Sequence, residues 1–203
     1  MKNKLYLTVL MFLTLTACTS KSPQELFESA EAKAKAGDFK EAIIDYDKVI
    51  ELDPGNSQAI FHRANTKTCV SDFNGAIMDY SKVIQLDPKD GNAYSCRGNC
   101  KRLTGDFKGA IPDFDNAILF NIKEPAKAYN LRGCCKIQTG DTINALLDLD
   151  KAIELDPKLP DAYLNRGILK TKKGLAKEAC ADLVRASELG NKEAADLIKM
   201  NCK

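Results

Sequence analysis

The feature that most constrains this chain is an internal repeat with a period of about 34 residues, which begins shortly after residue 22. Successive copies are offset by 34, 34, 35 and 34 residues. A unit this short cannot bury its apolar face alone, so neighbouring copies are expected to stack into an elongated array. The aligned segments are "AGDFKEAIIDYDKVIELDP" (36–54), "VSDFNGAIMDYSKVIQLDP" (70–88), "TGDFKGAIPDFDNAILFNI" (104–122), "TGDTINALLDLDKAIELDP" (139–157) and "KGLAKEACADLVRASELGN" (173–191).

Each unit predicts two helices joined by a tight turn. A glycine such as Gly37 stands where the first helix must stop, because glycine tolerates the left-handed backbone that ends a helix. The aspartate that follows, Asp38 in the first unit, is a natural N-cap for the second helix. An Asp-Pro pair then ends that helix. The N-cap prediction covers Asp38, Asp72, Asp106 and Asp141.

These positions resemble the tetratricopeptide repeat (TPR), whose small and large positions recur in register in all five copies. The resemblance implies an all-α fold, a right-handed α-solenoid of about five helix-turn-helix repeats closed by a C-terminal capping helix. The predicted divisions are a signal peptide (1–17), a lipidated tether (18–22), TPR 1 (23–56), TPR 2 (57–90), TPR 3 (91–125), TPR 4 (126–159), TPR 5 (160–190) and the capping helix (191–203).

The third repeat departs from the pattern. Pro112 falls inside its second helix, where proline removes a hydrogen bond and clashes with the preceding turn. Asn121-Ile122 replaces the terminal Asp-Pro, and one residue is added. We therefore expect a kinked helix and the weakest joint between repeats at this point.

An arginine stands where TPR units usually carry leucine, and a lysine follows four residues later. Such a pair of cations needs an anion, and an aspartate recurs at one position of the second helices. We expect structural arginine–aspartate pairs, within a repeat or to the next one; the alternative is a row of cations for an acidic ligand. The candidates are Arg63, Arg97, Arg132 and Arg166 with Asp45, Asp79, Asp113, Asp148 and Asp182.

The N-terminus indicates export and lipidation. Two lysines precede an apolar run, "LYLTVLMFLTL" (5–15), which is shorter than the roughly 20 residues needed to span a bilayer. The run ends in Leu15-Thr-Ala-Cys18, which resembles the lipobox of bacterial lipoproteins. That resemblance implies cleavage before Cys18, a covalent lipid on Cys18, and sorting to the cell envelope, with Thr19 favouring the outer membrane.

The first helices of a TPR array line a concave groove that usually binds a peptide or protein, as the resemblance implies. The lysines and arginine of the carboxylate clamp found in chaperone-binding TPR proteins are missing from the matching positions. Asparagines in the groove either bind an extended backbone or are simply polar surface residues. The candidate groove residues are Phe61, His62, Asn65, Asn92, Asn99, Arg102, Asn130, Cys134 and Asn165.

The remaining cysteines favour packing over chemistry. No CxxC motif occurs and His62 is the only histidine, so no metal site is predicted. Cys180 and Cys202 are a candidate disulfide between the last repeat and the cap.

The sequence favours a membrane-anchored scaffold that binds a protein or peptide, without enzymatic activity, cofactor or small-molecule substrate. It could serve as an accessory to envelope assembly. Removal of Lys2 and Lys4 leaves 28 basic and 28 acidic residues, which disfavours nucleic-acid binding. The alternative function is a thiol-based redox or metal protein that uses the clustered cysteines Cys96, Cys100, Cys134 and Cys135.

Overall fold

The computed structural model describes residues 21–202, which form helices joined by short turns. The predicted signal peptide (1–17) and Cys18 lie outside the described residues. Within residues 21–202 there are eleven helices and no strand. They are α1 (Pro23–Ala36), α2 (Phe39–Leu52), α3 (Ser57–Cys69), α4 (Phe73–Leu86), α5 (Gly91–Leu103), α6 (Phe107–Leu119), α7 (Pro125–Gln138), α8 (Thr142–Leu155), α9 (Pro160–Lys172), α10 (Ala176–Glu188) and α11 (Lys192–Asn201).

The helices form a two-layered array in chain order. Each helix packs chiefly on the helices before and after it, and the first helices also touch one another, α1 with α3, α5 with α7 and α7 with α9. The last helix, α11, packs on α10. The predicted all-α solenoid is confirmed. None of the helices within residues 21–202 combines the length and the apolar content needed to cross a bilayer.

Paired helices approach closely because a small residue on the first faces a large residue on the second. A Cβ atom added to Gly133 would lie 3.2 Å from Cγ of Leu149 and 3.3 Å from the Ala145 carbonyl oxygen. A Cβ at this position would be tighter than an ordinary contact, so only a small residue fits: glycine here, and alanine at Ala30 and Ala64 of the first two repeats. The large residues that fill this position in the five repeats are at most 1% exposed: Tyr46, Tyr80, Phe114, Leu149 and Leu183.

All four predicted aspartates stand at the N-cap position of their second helix, and three of them also accept the capping hydrogen bond. Asp72 accepts a hydrogen bond from the amide of Gly75 at 3.0 Å. The Asp72 carboxylate lies in the space that a Cβ on Gly75 would fill, 2.2 Å from that position. Asp38 makes no side-chain cap. The other two caps are Asp106 to Gly109, at 2.9 Å, and Asp141 to Asn144, at 3.3 Å.

The turn between paired helices has a left-handed residue in every repeat. In the first repeat this is Gly37, with φ 89°. In the second repeat the same place is taken by Ser71, with φ 62°. A residue with a Cβ pays about 1–2 kcal/mol for this conformation, so the second turn is strained where the first is not.

The second helix of the third repeat, α6, continues through Pro112 as one helix. Pro112 is exposed, and its carbonyl accepts a hydrogen bond from Nδ2 of Asn116 at 3.0 Å. The kink and the weak joint that we expected here stay predictions. The helix ends at Leu119, after which Asn121 takes a left-handed conformation, with φ 53°.

Candidate functional site

Each periodic arginine lies between the two helices of its repeat and donates hydrogen bonds to the aspartate of that repeat. Arg63 donates to Asp79 from Nε at 2.8 Å and from a terminal nitrogen at 2.6 Å. Asp79 is buried. Two parallel bonds from a guanidinium to one carboxylate are stronger and more directional than a single contact. The structure places the same two-bonded pair in three further repeats: Arg97–Asp113, Arg132–Asp148 and Arg166–Asp182.

A third bond from each arginine crosses to the preceding repeat, and the sequence reasoning missed it. The remaining nitrogen of Arg63 donates to Asp47 at 2.6 Å. Asp47 lies two residues after Asp45 in the first repeat, and this spacing recurs, so the period could have revealed the acceptor. The other crossing bonds are Arg97 to the Ser81 hydroxyl, at 3.0 Å, and Arg132 to Asp115 and Arg166 to Asp150, both at 2.6 Å.

The lysines that follow the arginines bind the same aspartates. Lys67, for example, lies 2.8 Å from Asp79. The first repeat has Ser29 in place of an arginine, and there Asp45 accepts from both Ser29 and Lys33. Because each of these arginines and lysines is paired with a protein carboxylate, the arrangement favours the structural role over a row of cations that waits for a ligand.

An aromatic cluster occupies the N-terminal half of the candidate groove. His62 lies edge-on to Phe27, with ring centroids 5.4 Å apart, and is stacked on Tyr46 at 6.2 Å. Phe61 continues the cluster to Tyr80, at 5.6 Å. Rings in these arrangements attract one another beyond their burial of apolar area. The cluster is therefore a pre-formed surface rather than a set of independent side chains.

A cavity of about 260 Å³ opens beside this cluster. Tyr46 and His62 line it, together with Asn65 and the exposed Cys69. Glu31 stands at its edge, with a carboxylate oxygen 3.9 Å from Nδ1 of His62. Burial raises the pKa of Tyr46 to about 12, so its hydroxyl stays neutral at physiological pH. The cavity thus joins apolar ring faces to polar groups at its edge.

Most of the candidate groove asparagines already have partners. Asn65 accepts from the Tyr80 hydroxyl at 2.6 Å. Asn130 is buried and accepts from Nδ2 of Asn165 at 2.9 Å. Asn99 accepts from Arg102 at 3.0 Å, whereas Asn92 is exposed. These bonds fix the orientation of the amide groups, so the groove asparagines are not a row of unpaired amides available to an extended peptide backbone.

The clustered thiols sit in environments that suppress their reactivity. Burial raises the pKa of Cys96 to about 11, and burial likewise raises that of Cys134 to about 11. For Cys135 burial raises the pKa to about 12, and it also raises the pKa of Cys100. The thiolate is the nucleophile and the metal ligand, so these cysteines are poorly suited to the alternative redox function. Among residues 21–202, no three His, Cys, Asp or Glu side chains are grouped as a metal site would require.

Cys180 and Cys202 form a disulfide, with Cα atoms 5.6 Å apart. The bridge ties the end of α11 to α10. The cap also covers Leu183 and Leu164 of the last repeat with Ala194 and Leu197. The structure therefore closes the C-terminal end of the array with both a covalent and an apolar contact.

Stacked helix pairs, with a small residue of the first helix against a large residue of the second, define the chain as an α-solenoid of helix pairs. Two segments, residues 26–56 and 126–159, match the family model described as tetratricopeptide repeat. No curated protein matches the chain significantly.

Solved structures of the same architecture include MamA, which is 29% identical, with a TM-score of 0.74 over 82% of this chain and 96% of that one. YrrB, described as a TPR protein with an unusual peptide-binding site, is 21% identical, with a TM-score of 0.73 over 88% of this chain and 92% of its own. PilW, described as a widely conserved type IV pilus biogenesis factor, is 17% identical, with a TM-score of 0.72 over 90% of this chain and 94% of its own. The likeness to YrrB and PilW shows the fold alone.

Proposed function

We propose that this protein is a non-enzymatic, membrane-anchored TPR scaffold that binds a protein or peptide partner in its concave groove. The observation that carries the proposal is the aromatic cluster around His62 with the cavity beside it. A half-buried ring surface with a few polar groups at its edge is what a docking site for an apolar side chain needs. YrrB, with its peptide-binding site, is a precedent for this use of the fold.

Site-specific photo-crosslinking tests the groove. A photoreactive phenylalanine analogue is placed at Phe61, inside the aromatic cluster, or at Met78, which is 73% exposed on a second helix. After irradiation in cells that produce the full chain, we expect discrete adducts from position 61 and none from position 78. The same adducts from both positions, or none from position 61, would contradict groove binding.

The membrane anchor is a separate part of the proposal and rests on the lipobox-like Leu15-Thr-Ala-Cys18. The Cys180–Cys202 disulfide supports an exported chain, because disulfides persist in oxidising compartments. We place the protein in the bacterial envelope, at the outer membrane, as an accessory to an assembly process of the kind in which PilW takes part.

Membrane fractionation tests the anchor. Cys18→Ala is expected to block processing and release the chain from the membrane fraction, whereas Cys69→Ala, a change at an exposed groove cysteine, leaves both unchanged. A Cys18→Ala chain that is still processed and still sediments with membranes would contradict lipidation.

A further inference from the structure

The second helices carry a recurring stripe of solvent-facing side chains on the side of the array opposite to the groove. In α2 the stripe consists of Ile44, Lys48 and Leu52, which stand four residues apart and therefore lie on one side of the helix. The same positions of α4 and α8 again carry an aliphatic residue, a lysine and an aliphatic residue. We call these residues the convex stripe: Ile44, Lys48, Leu52, Met78, Lys82, Leu86, Leu147, Lys151 and Leu155.

The aliphatic members of the convex stripe do not serve the interior of the array. Their exposed fractions run from 42% at Leu86 to 73% at Met78. None of them belongs to the apolar clusters that lie between the helices within residues 21–202. Single exposed aliphatic residues are common on protein surfaces, but aliphatic residues in register along one face indicate a surface that meets an apolar environment.

The charge of this face is most positive at α4. Asp79 is the one carboxylate of α4 (Phe73–Leu86), and it is buried and paired with Arg63 and Lys67. Lys82 is therefore the one exposed charge of that helix. The exposed sides of α2 and α8 carry glutamates as well. A lysine between aliphatic residues can lay its stem on an apolar surface while its ammonium group reaches an anion.

The predicted tether brings this face close to a bilayer. Lys21 is the third residue after the predicted lipidation site at Cys18, so at most about 11 Å of extended chain separates the two. In the structure Lys21 lines a cavity of about 350 Å³ together with Lys48 and Leu52 of the convex stripe. The described chain thus begins beside the stripe, and a lipid on Cys18 would hold the α2 end of the stripe near the membrane surface.

We propose that the convex stripe lies on the anionic phospholipid surface to which the chain is tethered, with its aliphatic side chains below the headgroups and its lysines at the phosphates. The groove then opens away from the membrane, toward the partner. This inference rests on the proposed membrane anchor. A face that lies on lipid meets no partner protein, which is consistent with the expectation of no partner adducts at position 78.

Tryptophan fluorescence tests the orientation, because the chain contains no tryptophan and a single introduced one reports on its own surroundings. Met78→Trp places the reporter in the convex stripe, and Met200→Trp places it on α11; the two methionines are 73% and 72% exposed. The processed, lipidated full chain is added to vesicles of phosphatidylcholine and phosphatidylglycerol with brominated acyl chains, since bromine quenches tryptophan only at close range. We expect strong quenching and emission at shorter wavelength from position 78, and neither from position 200.

Matched lysine variants test the charge, with the reporter moved to Ile44→Trp, the equivalent position of the first repeat. Lys82→Gln removes the stripe cation of α4, and Lys173→Gln removes an exposed lysine that follows α9. One lysine near an anionic membrane changes the ratio of docked to undocked chain by about fivefold, the equivalent of about 1 kcal/mol. We expect that decrease from Lys82→Gln, none from Lys173→Gln, and weaker quenching of every variant on vesicles of phosphatidylcholine alone.

The contrary results have distinct meanings, and each overturns the inference. Equal quenching at positions 78 and 200 would show that the tethered chain has no fixed orientation on lipid. Emission from position 78 that moves to shorter wavelength with rising protein concentration, without quenching, would assign the stripe to a second copy of the chain. Equal quenching in both lysine variants would exclude a contribution of Lys82 to docking.

Failure of the docking surface is distinguishable from failure of the anchor. If Cys18→Ala releases the chain from membranes while position 78 of the lipidated chain is not quenched, the anchor is right and only the orientation is wrong. If the Cys18→Ala chain is still processed and still sediments with membranes, the anchor is wrong and the orientation derived from it falls as well.

Discussion

The replacement of Asp148 or of Asp115 by alanine offers a matched test of the arginine–aspartate pairs, because both carboxylates bind Arg132. Asp148 accepts two bonds from Arg132, at 2.9 and 2.6 Å, and lies 2.8 Å from Lys136. Its side chain is 6% exposed, whereas that of Asp115, which accepts one bond at 2.6 Å, is 52% exposed. The two variants thus remove a buried and an exposed partner of one guanidinium.

The magnitudes follow from burial. Removal of one partner from a buried ion pair costs about 3–5 kcal/mol, since the other charge is left without compensation in a poorly solvated place. Arg132 keeps its bond to Asp115 in the Asp148→Ala variant, so we expect the lower end, about 3 kcal/mol. Loss of an exposed pair costs about 0.2–1 kcal/mol, which is our expectation for Asp115→Ala.

Urea unfolding followed by circular dichroism at 222 nm measures the difference. With a denaturant slope of about 2–3 kcal/mol per molar, Asp148→Ala is expected to lower the midpoint by roughly 1 M or more, and Asp115→Ala by less than about 0.5 M. Repeat arrays can unfold in steps, so hydrogen exchange in α7 and α8 accompanies the measurement. Equal midpoints for the two variants would refute the argument that burial determines the contribution of each carboxylate.

Three further predictions concern single residues. Ser71→Gly is expected to stabilise the chain by about 1 kcal/mol in the same urea assay, because glycine accepts the left-handed turn without strain; a lower midpoint would contradict this. Burial raises the pKa of Asp45, but the hydrogen bonds from Lys33 and Ser29 lower it by more, so the pKa of Asp45 lies below its ordinary value. The ionised Asp45 therefore contributes fully to the free energy of unfolding above the unfolded pKa of about 3.9, and this contribution is lost as the pH falls below that value. The difference in urea midpoint between the unmodified chain and Asp45→Asn is expected to narrow below about pH 4; a constant difference would contradict this. With a pKa of about 11, only about one Cys134 thiol in a thousand is ionised at pH 8. Iodoacetamide is therefore expected to alkylate the exposed Cys69 before Cys134. Equal alkylation rates of the two cysteines would show that Cys134 is accessible and activated.

The repeated part of this structure was predictable because each periodic position meets the same environment five times. A single arginine in an apolar stripe is ambiguous, but four arginines and five aspartates with the same period indicate a contact between paired helices. The sequence did not decide whether each arginine pairs with an aspartate of its own repeat or of a neighbouring one, because both lie within reach of a long side chain. The structure shows that Arg63 pairs with Asp79 of its own repeat and also binds Asp47, a different aspartate, of the preceding repeat.

The non-periodic features were less predictable. Asp38 stands at the same position of its repeat as Asp72, Asp106 and Asp141, so the sequence did not distinguish it from the three aspartates that make the capping bond. The groove asparagines were assigned from helix register alone, which cannot show that Asn130 and Asn165 bond across two repeats. The close approach of Ile122 to Gly91 combines two departures from the repeat, isoleucine in place of proline and glycine at the start of α5, and these lie 31 residues apart in the sequence.

The crossing bonds between repeats are not equal at every joint. Three of the four arginines cross to a carboxylate, but Arg97 crosses to the neutral hydroxyl of Ser81. A carboxylate adds the attraction between opposite charges to the hydrogen bond and a hydroxyl does not, so the second and third repeats are joined by the weakest of these four crossing bonds. The aromatic cluster around His62 lies in the first two repeats, on the N-terminal side of that joint. We expect Ser81→Asp to strengthen the joint and so to limit changes in the position of the cluster relative to the later repeats.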